Sequence, residues 1–316
     1  MKKLPKQRPF IIPIFLPHAG CPHQCIFCNQ VSISGMQPAA ADPENIRNHI
    51  HEFLKFKKEN RKPVEIAFFG GNFLGLPPEE INSWLSLADE FVRRGLADGI
   101  RFSTRPDTID AMHLDLLDKY PVSTVELGVQ SMDNRVLALA ERGHSASDTI
   151  RAVKALKGRQ LGLGLQMMVG LPGDSEARSL ATARSIADLD PDCVRVYPTV
   201  VVENSRLADW YKRGQYRPLS LETAVSLVKK AYLIFKKKDI AVIRMGLQAS
   251  ADLDHGSKVL AGPHHPAFGH LVYSEIFYDT VLAVIESAGF ITNRLSIFVN
   301  PRSISKMRGL NNSNIK

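Results

Sequence analysis

Apolar residues recur along this chain with two alternating periods. Runs that alternate apolar and polar positions predict strands near 10–16, 64–69, 99–104, 124–130, 161–169 and 192–198. Stretches with apolar residues three or four apart predict helices over 44–59, 78–95, 109–119, 147–157, 176–189 and 221–238. Asp42-Pro43 and Ser220 supply helix starts, each with a side-chain oxygen for the free amides of the first turn. Strands that take turns with helices run parallel, because each crossover returns the chain to the same end of the sheet. The expectation is an α/β fold of six strand–helix units over residues 1–246, with a further strand at 240–246 that closes or extends the sheet edge. Residues 247–316 read as a small C-terminal extension with a helix near 271–287 and a strand at 295–299.

The two faces of each strand differ in chemistry. Val125, Leu127 and Val129 share one face of the fourth strand, and Glu126, Gly128 and Gln130 the other. Leu161, Leu163 and Leu165 oppose Gly162, Gly164 and Gln166 in the same way. A closed barrel of this kind fills its interior with branched apolar side chains, so a small and polar inner face predicts an incomplete, TIM-like barrel wide enough for a polar ligand. An open sheet with one wetted face is the alternative. Period two puts Cys193, Arg195 and Tyr197 on the inner face of the sixth strand, and Arg244 follows in the next. Arg195, Tyr197 and Arg244 are therefore candidates for touching substrate, since a guanidinium there suits a carboxylate or phosphate. The competing reading pairs each arginine with an interior acid such as Glu126.

Cys21, Cys25 and Cys28 form a CxxxCxxC run directly after the first strand, three soft ligands on one loop. Such a set suits an iron–sulfur cluster or zinc. It leaves one coordination position open unless His18 or His23 completes a structural zinc site. Gly70-Gly71 ends the second strand and allows a ligand close to the backbone. Cys193 stands alone and reads as an inert core thiol, and His264 and His265 sit beside prolines with no partner pattern. A hydrophobic content of 44% over 316 residues suffices for a substantial core. With four cysteines, three of them clustered, and no signal peptide or membrane span in view, the expected home is a reducing cytoplasm. The formal net charge of +8 is uneven: residues 289–316 hold Arg294, Arg302, Lys306, Arg308 and Lys316 and no acid, a segment able to meet a phosphate backbone. Basic runs at 55–62 and 229–238 fall on amphipathic helices and read as solvated faces.

The cysteine spacing, with Phe27 directly before the last cysteine, resembles that of the radical S-adenosylmethionine enzymes. Ser103-Thr104-Arg105-Pro106-Asp107, the stretch from Val125 to Ser131, Asp133, Arg142-Gly143-His144 and Gly170-Leu171-Pro172-Gly173 are similar to segments of the Elongator catalytic subunit family. The likeness to oxygen-independent coproporphyrinogen III oxidase is looser. The resemblance implies an incomplete barrel of six strand–helix units and a [4Fe-4S] cluster held by Cys21, Cys25 and Cys28, with S-adenosylmethionine on the fourth iron. An electron from an external donor then breaks a carbon–sulfur bond and yields a 5′-deoxyadenosyl radical. It further implies cofactor contacts at Phe27, Gly70, Gly71, Asn72, Ser103, Gln130, Arg142 and Gln166, with Gly70-Gly71 toward the cofactor's amino group, Arg142 toward its carboxylate and Gln130 toward its ribose. Asn72 and Ser103 depart from the residues common in that family. The implied target is RNA, such as tRNA, or another phosphate-bearing substrate. The Elongator family adds an acetyltransferase domain, for which the roughly 70 residues after Gly246 are too few, so acetyl transfer is not expected. Coproporphyrinogen-type oxidation and a zinc-stabilised nucleic-acid-binding module remain as alternatives.

Overall fold

The computed structural model describes residues 9–22, 24–30, 42–58, 63–247, 258–288 and 296–315. Strands β1 (Phe10–Leu16), β2 (Val64–Gly70), β3 (Gly99–Thr104), β4 (Val122–Gln130), β5 (Gly162–Val169), β6 (Cys193–Pro198) and β8 (Ala241–Met245) form one sheet in that order. Every neighbouring pair in it is parallel. β1 and β8 are the two ends of the order and do not pair with each other, so the barrel is incomplete, as the polar inner faces predict. The stretch at 240–246 extends the edge rather than closing it. β7 (Val201–Val202) and β9 (Val259–Ala261) make a separate antiparallel pair that the sequence pattern does not reveal.

The crossovers carry α1 (Pro43–Lys55), α2 (Pro78–Arg93), α3 (Ala111–Leu117), α4 (Asn134–Leu139), α5 (Ala146–Lys157), α6 (Glu176–Asp188), α7 (Arg206–Lys212) and α8 (Leu221–Lys237). Asp42 caps α1 by accepting from the Asn45 amide, and Ser220 caps α8 by accepting from that of Thr223. α1 ends at Lys55, short of the predicted 59, a position outside the described residues. The helix predicted over 109–119 splits, because the Asp110 carboxylate accepts from the His113 amide and starts α3 afresh after a single 3-10 turn at Pro106–Thr108. The short helices α4 and α7 have too few turns to show a period.

The outward faces of the strands and the inward faces of the helices form one apolar layer. Ile12, Ile66, Ile100, Val125, Leu127, Leu165 and Val194 are fully buried there against Ile50, Leu85, Val153, Ile186 and Val228. Each such aliphatic side chain contributes about 1.5–3 kcal/mol on burial.

Beyond the sheet, α9 (Phe268–Ala288) lies on α8, with Phe268 and Val272 buried in the main core. Lys229 of α8 pairs with Glu275 at 3.0 Å and Asp279 at 2.6 Å, and Tyr232 meets Tyr273 edge-on. Against the expectation of no membrane span, Phe268–Ser287 is by length and composition alone long and apolar enough to cross one, with 17% of it buried, and Glu275 and Asp279 within it pair with Lys229 of α8. α10 (Ile304–Arg308) follows. Of the strand predicted at 295–299, residues 296–299 have no regular structure and Leu295 lies outside the described residues.

Candidate active site

The cysteine loop leaves β1 at Leu16 and interlocks with the turn after β2. The Asn72 amide donates to the Ala19 carbonyl at 2.7 Å, and its side-chain nitrogen donates to the Gly20 carbonyl at 3.0 Å. Its side-chain oxygen accepts from Thr104 Oγ1 (2.7 Å), the Arg105 amide (2.9 Å) and Thr108 Oγ1 (3.2 Å), which ties the loop to the end of β3. A Cβ on Gly71 would lie 2.0 Å from the Ala19 carbonyl oxygen, and one on Gly20, at φ +68°, 2.2 Å from that of Asn72. Glycine is needed at both because two backbones touch. Gln30 closes the loop: its side-chain nitrogen donates to the Gly70 carbonyl at 2.6 Å, its oxygen accepts from the His18 amide, and its own amide donates to His18 Nε2 at 3.0 Å. Ile26 anchors the loop's middle, fully buried among Val136, Ala140, Leu171 and Leu207.

Cys21, Cys25 and Cys28 line a cavity of about 110 Å³ together with Phe27, Gly70, Gly71, Ser103, Gln130, Arg142 and Gln166. Of the residues expected around the cofactor, only Asn72 stands outside this lining. Asn72 is fully buried, and its side chain clamps the cysteine loop to the end of β3. Arg142 Nη1 donates to Cys25 Sγ at 3.1 Å and Nη2 to the Gly128 carbonyl at 2.6 Å, while its buried Nε has no protein partner. Gln130 sits in the left-handed region at φ +65°, where the β4–β5 register shifts, and its Oε1 is likewise buried and unpartnered. A Cβ on Gly128 would come within 3.1 Å of Gln130 Nε2 and 3.2 Å of Arg142 Nη2. Strained backbone and unpaired polar atoms in one cleft mark a place shaped for a ligand.

The thiols fit a cationic cluster. Burial pushes the Cys28 thiol up to about 12, with Cys25 and Cys21 adding to it, and burial followed by Cys25 raises Cys21. Thiols that oppose one another's ionisation become thiolates together only around a positive centre, which cluster iron supplies. Among the described residues no three His, Cys, Asp or Glu side chains close on a single ion. The Gln30 amide engages His18 at Nε2, leaving only its Nδ1 for a structural zinc, and His23 lies outside the described residues.

Below the cavity the inner face is an ion network. Glu126 is fully buried: its Oε1 accepts from Arg101 Nη1 and Arg195 Nη2, both at 2.8 Å, and its Oε2 from Arg195 Nε at 2.5 Å and Gln166 Nε2 at 3.0 Å. Burial alone would raise the Glu126 carboxyl, but Arg195 and then Arg101 hold it down to about 2. Arg101 also reaches Glu65 Oε2 at 2.7 Å. Arg195 is thus paired with the interior acid Glu126. Sequence reasoning gave Glu65, Arg101 and Gln30 no role in the site; the signal for the first two was a charge inside an apolar strand, Val64-Glu65-Ile66 and Ile100-Arg101-Phe102. Cys193 is buried beside this network, its thiol pushed up to about 12 by burial and then by Glu126. His265 Nδ1 accepts from the Ala267 amide. In the basic C-terminal segment Arg302 and Arg308 are exposed and Lys306 Nζ stands 4.4 Å from the Tyr273 ring centre, while Arg294 and Lys316 lie outside the described residues.

Residues 15–186 match the Radical SAM superfamily and residues 191–277 the Radical SAM C-terminal domain. An uncharacterised protein of Methanocaldococcus jannaschii is 32% identical over 72% of this chain and 72% of its own length. A tRNA uridine(34) acetyltransferase of Methanocaldococcus infernus is 29% identical over 72% of this chain, which spans 50% of that enzyme. Among solved structures, the M. infernus Elp3 with an N-terminus deletion superposes with a TM-score of 0.65 at 23% identity, over 90% of this chain and 64% of that one. The cysteine loop, the incomplete parallel barrel and these matches agree, and the chain belongs to the radical SAM superfamily.

Proposed function

We propose that this chain is an Elongator-like enzyme in which Cys21, Cys25 and Cys28 hold three irons of the cluster, S-adenosylmethionine occupies the fourth, and a tRNA is the substrate. The family works with a [4Fe-4S] cluster and S-adenosylmethionine; when bound, they supply a 5′-deoxyadenosyl radical that takes a hydrogen atom from substrate. The supporting observation is one cavity that gathers three thiols of a single loop with the unpartnered Gln130 Oε1 and Arg142 Nε. In this reading Arg142 donates to Cys25 Sγ at 3.1 Å and leaves its unpartnered Nε for the cofactor's carboxylate. Gln130 would hold the ribose, Gln166 the ribose or adenine region with Ser103 nearby in the same lining, and Gly70-Gly71 the amino group. Phe27 and the buried Ile26 keep water from the sulfurs.

The tRNA reading is supported by the names of the relatives and by the exposed Arg302 and Arg308. Residues 1–246 serve in it as the catalytic barrel and 247–316 as the extension that meets RNA, in the cytoplasm, with an external electron donor. The test is anaerobic turnover with a chemical reductant. Wild-type protein forms 5′-deoxyadenosine, more rapidly with bulk tRNA than with a small-metabolite fraction, and Cys25→Ala forms none. Undiminished 5′-deoxyadenosine from Cys25→Ala removes the cluster assignment, and stimulation by small metabolites alone removes tRNA.

A further inference from the structure

We propose that the inner face at β6 and β8 carries a substrate subsite for an anionic group, carboxylate or phosphate, held by Arg244 with Tyr197 beside it. This rests on the reading above only in taking the barrel interior as the place of substrate.

The strand register lays out the site. Gln166 pairs with Arg195 and Arg195 with Arg244, so the three form one row across β5, β6 and β8 on the same face of the sheet. Gln166 lines the cofactor cavity. At about 4.8 Å per strand, Arg244 stands about 10 Å along the row from that wall. An acid anchored there places its other end at the cavity.

Arg244 is the guanidinium that the interior acids leave over. Glu126 already receives four donors on its two oxygens, which fills its lone pairs. Glu65 is as fully engaged: Arg101 binds its Oε2, and Ser123 Oγ at 2.7 Å and Thr124 Oγ1 at 3.1 Å bind its Oε1. Three arginines thus face two glutamates, and no hydrogen bond or ion pair joins Arg244 to any described residue. Arg244 is half-buried, which costs the cation part of its hydration, and the guanidinium is pushed below its usual range by burial and by Arg195, against the opposing influence of Tyr197 and Glu126. Tyr197, two positions after Arg195 in β6, shares that face of the strand, and burial raises its hydroxyl while the charges of Arg195 and Arg244 act against the rise. A planar guanidinium with free donors and a neighbouring hydroxyl suits oxygen anions. Arg101 and Arg195, neutralised by glutamates, do not compete for it.

Arginine labelling of the intact chain by phenylglyoxal, read residue by residue by mass spectrometry, tests this without needing turnover. Arg244 is expected to react while Arg101 and Arg195 stay protected by their carboxylates. A site with a Kd of about 1 mM for inorganic phosphate would slow Arg244 labelling about tenfold in about 10 mM phosphate, with the exposed Arg94 unaffected and sodium chloride of equal ionic strength without effect. Protection by phosphate alone assigns a phosphate-bearing substrate, and protection by acetate as well assigns a carboxylate. An Arg244 that resists labelling without added anion, or that labels equally fast in phosphate, acetate and chloride, overturns the subsite. The readout is independent of the cluster: protection with no 5′-deoxyadenosine formation refutes the cysteine assignment alone, and turnover without protection refutes the subsite alone.

Discussion

The two faces of the same strands solve opposite problems. Outward, Val125, Leu127 and Val129 of β4 enter an apolar layer against the helices, where fit and area decide stability. Inward, Glu126 lies between them in sequence and is as deeply buried, yet it is held by charge, with Arg101 and Arg195 filling both oxygens. Above it the same face stops satisfying itself: Gln130 Oε1 and Arg142 Nε have no protein partner. The inner surface around Glu126 is therefore a hydrogen-bonded, charge-paired floor beneath an unsatisfied rim. A cofactor that generates a radical would need such a rim to bind it and such a floor to hold the rim in place.

Neighbouring substitutions on the two faces sharpen that contrast. Glu126→Ala strands two buried guanidiniums and is expected to cost about 3–5 kcal/mol, against about 2–5 kcal/mol for Leu127→Ala, both read from urea unfolding of cluster-free protein. A Glu126→Ala cost below about 1 kcal/mol would mean that the floor is solvated and the contrast is wrong. Gly71→Ala comes next, at about 1–3 kcal/mol for the forced shift. Its diagnostic effect is on the rim, since displacing the Ala19 carbonyl moves the cysteine loop and lowers the iron bound per chain. Full iron retention in Gly71→Ala would show that the interlock does not shape the site.

The smallest effect is in acid. The Glu126 carboxyl is held down to about 2 when folded, below the unfolded value of about 4.3. Its contribution is thus fully present above about pH 5 and is lost as pH falls toward 2. The stability gap between wild type and Glu126→Gln should narrow on acidification over that window, while that between wild type and Leu127→Ala should change far less. A gap that stays constant from pH 6 to 3 would remove the ion network from the account.

Local patterning revealed what is local. The seven strands of the sheet, the two capped helix starts and the cysteine loop were readable because each is written in residues a few positions apart. The interlock was not, because Asn72 meets Gly20 across 52 positions and Gln30 meets Gly70 across 40. The same holds for Arg195 and Glu126, 69 apart, whose ion pair is part of the floor. Gly70-Gly71 was legible as a close approach, but its second glycine makes room for the protein's own loop before any ligand.

Electron paramagnetic resonance of the anaerobically reconstituted, reduced protein, recorded with and without S-adenosylmethionine, bears most directly on the central claim that three cysteines leave one iron free. A [4Fe-4S] signal that changes on adding S-adenosylmethionine, and that is lost in Cys25→Ala, is the predicted result. A signal identical in both samples, or one that survives Cys25→Ala intact, would contradict it.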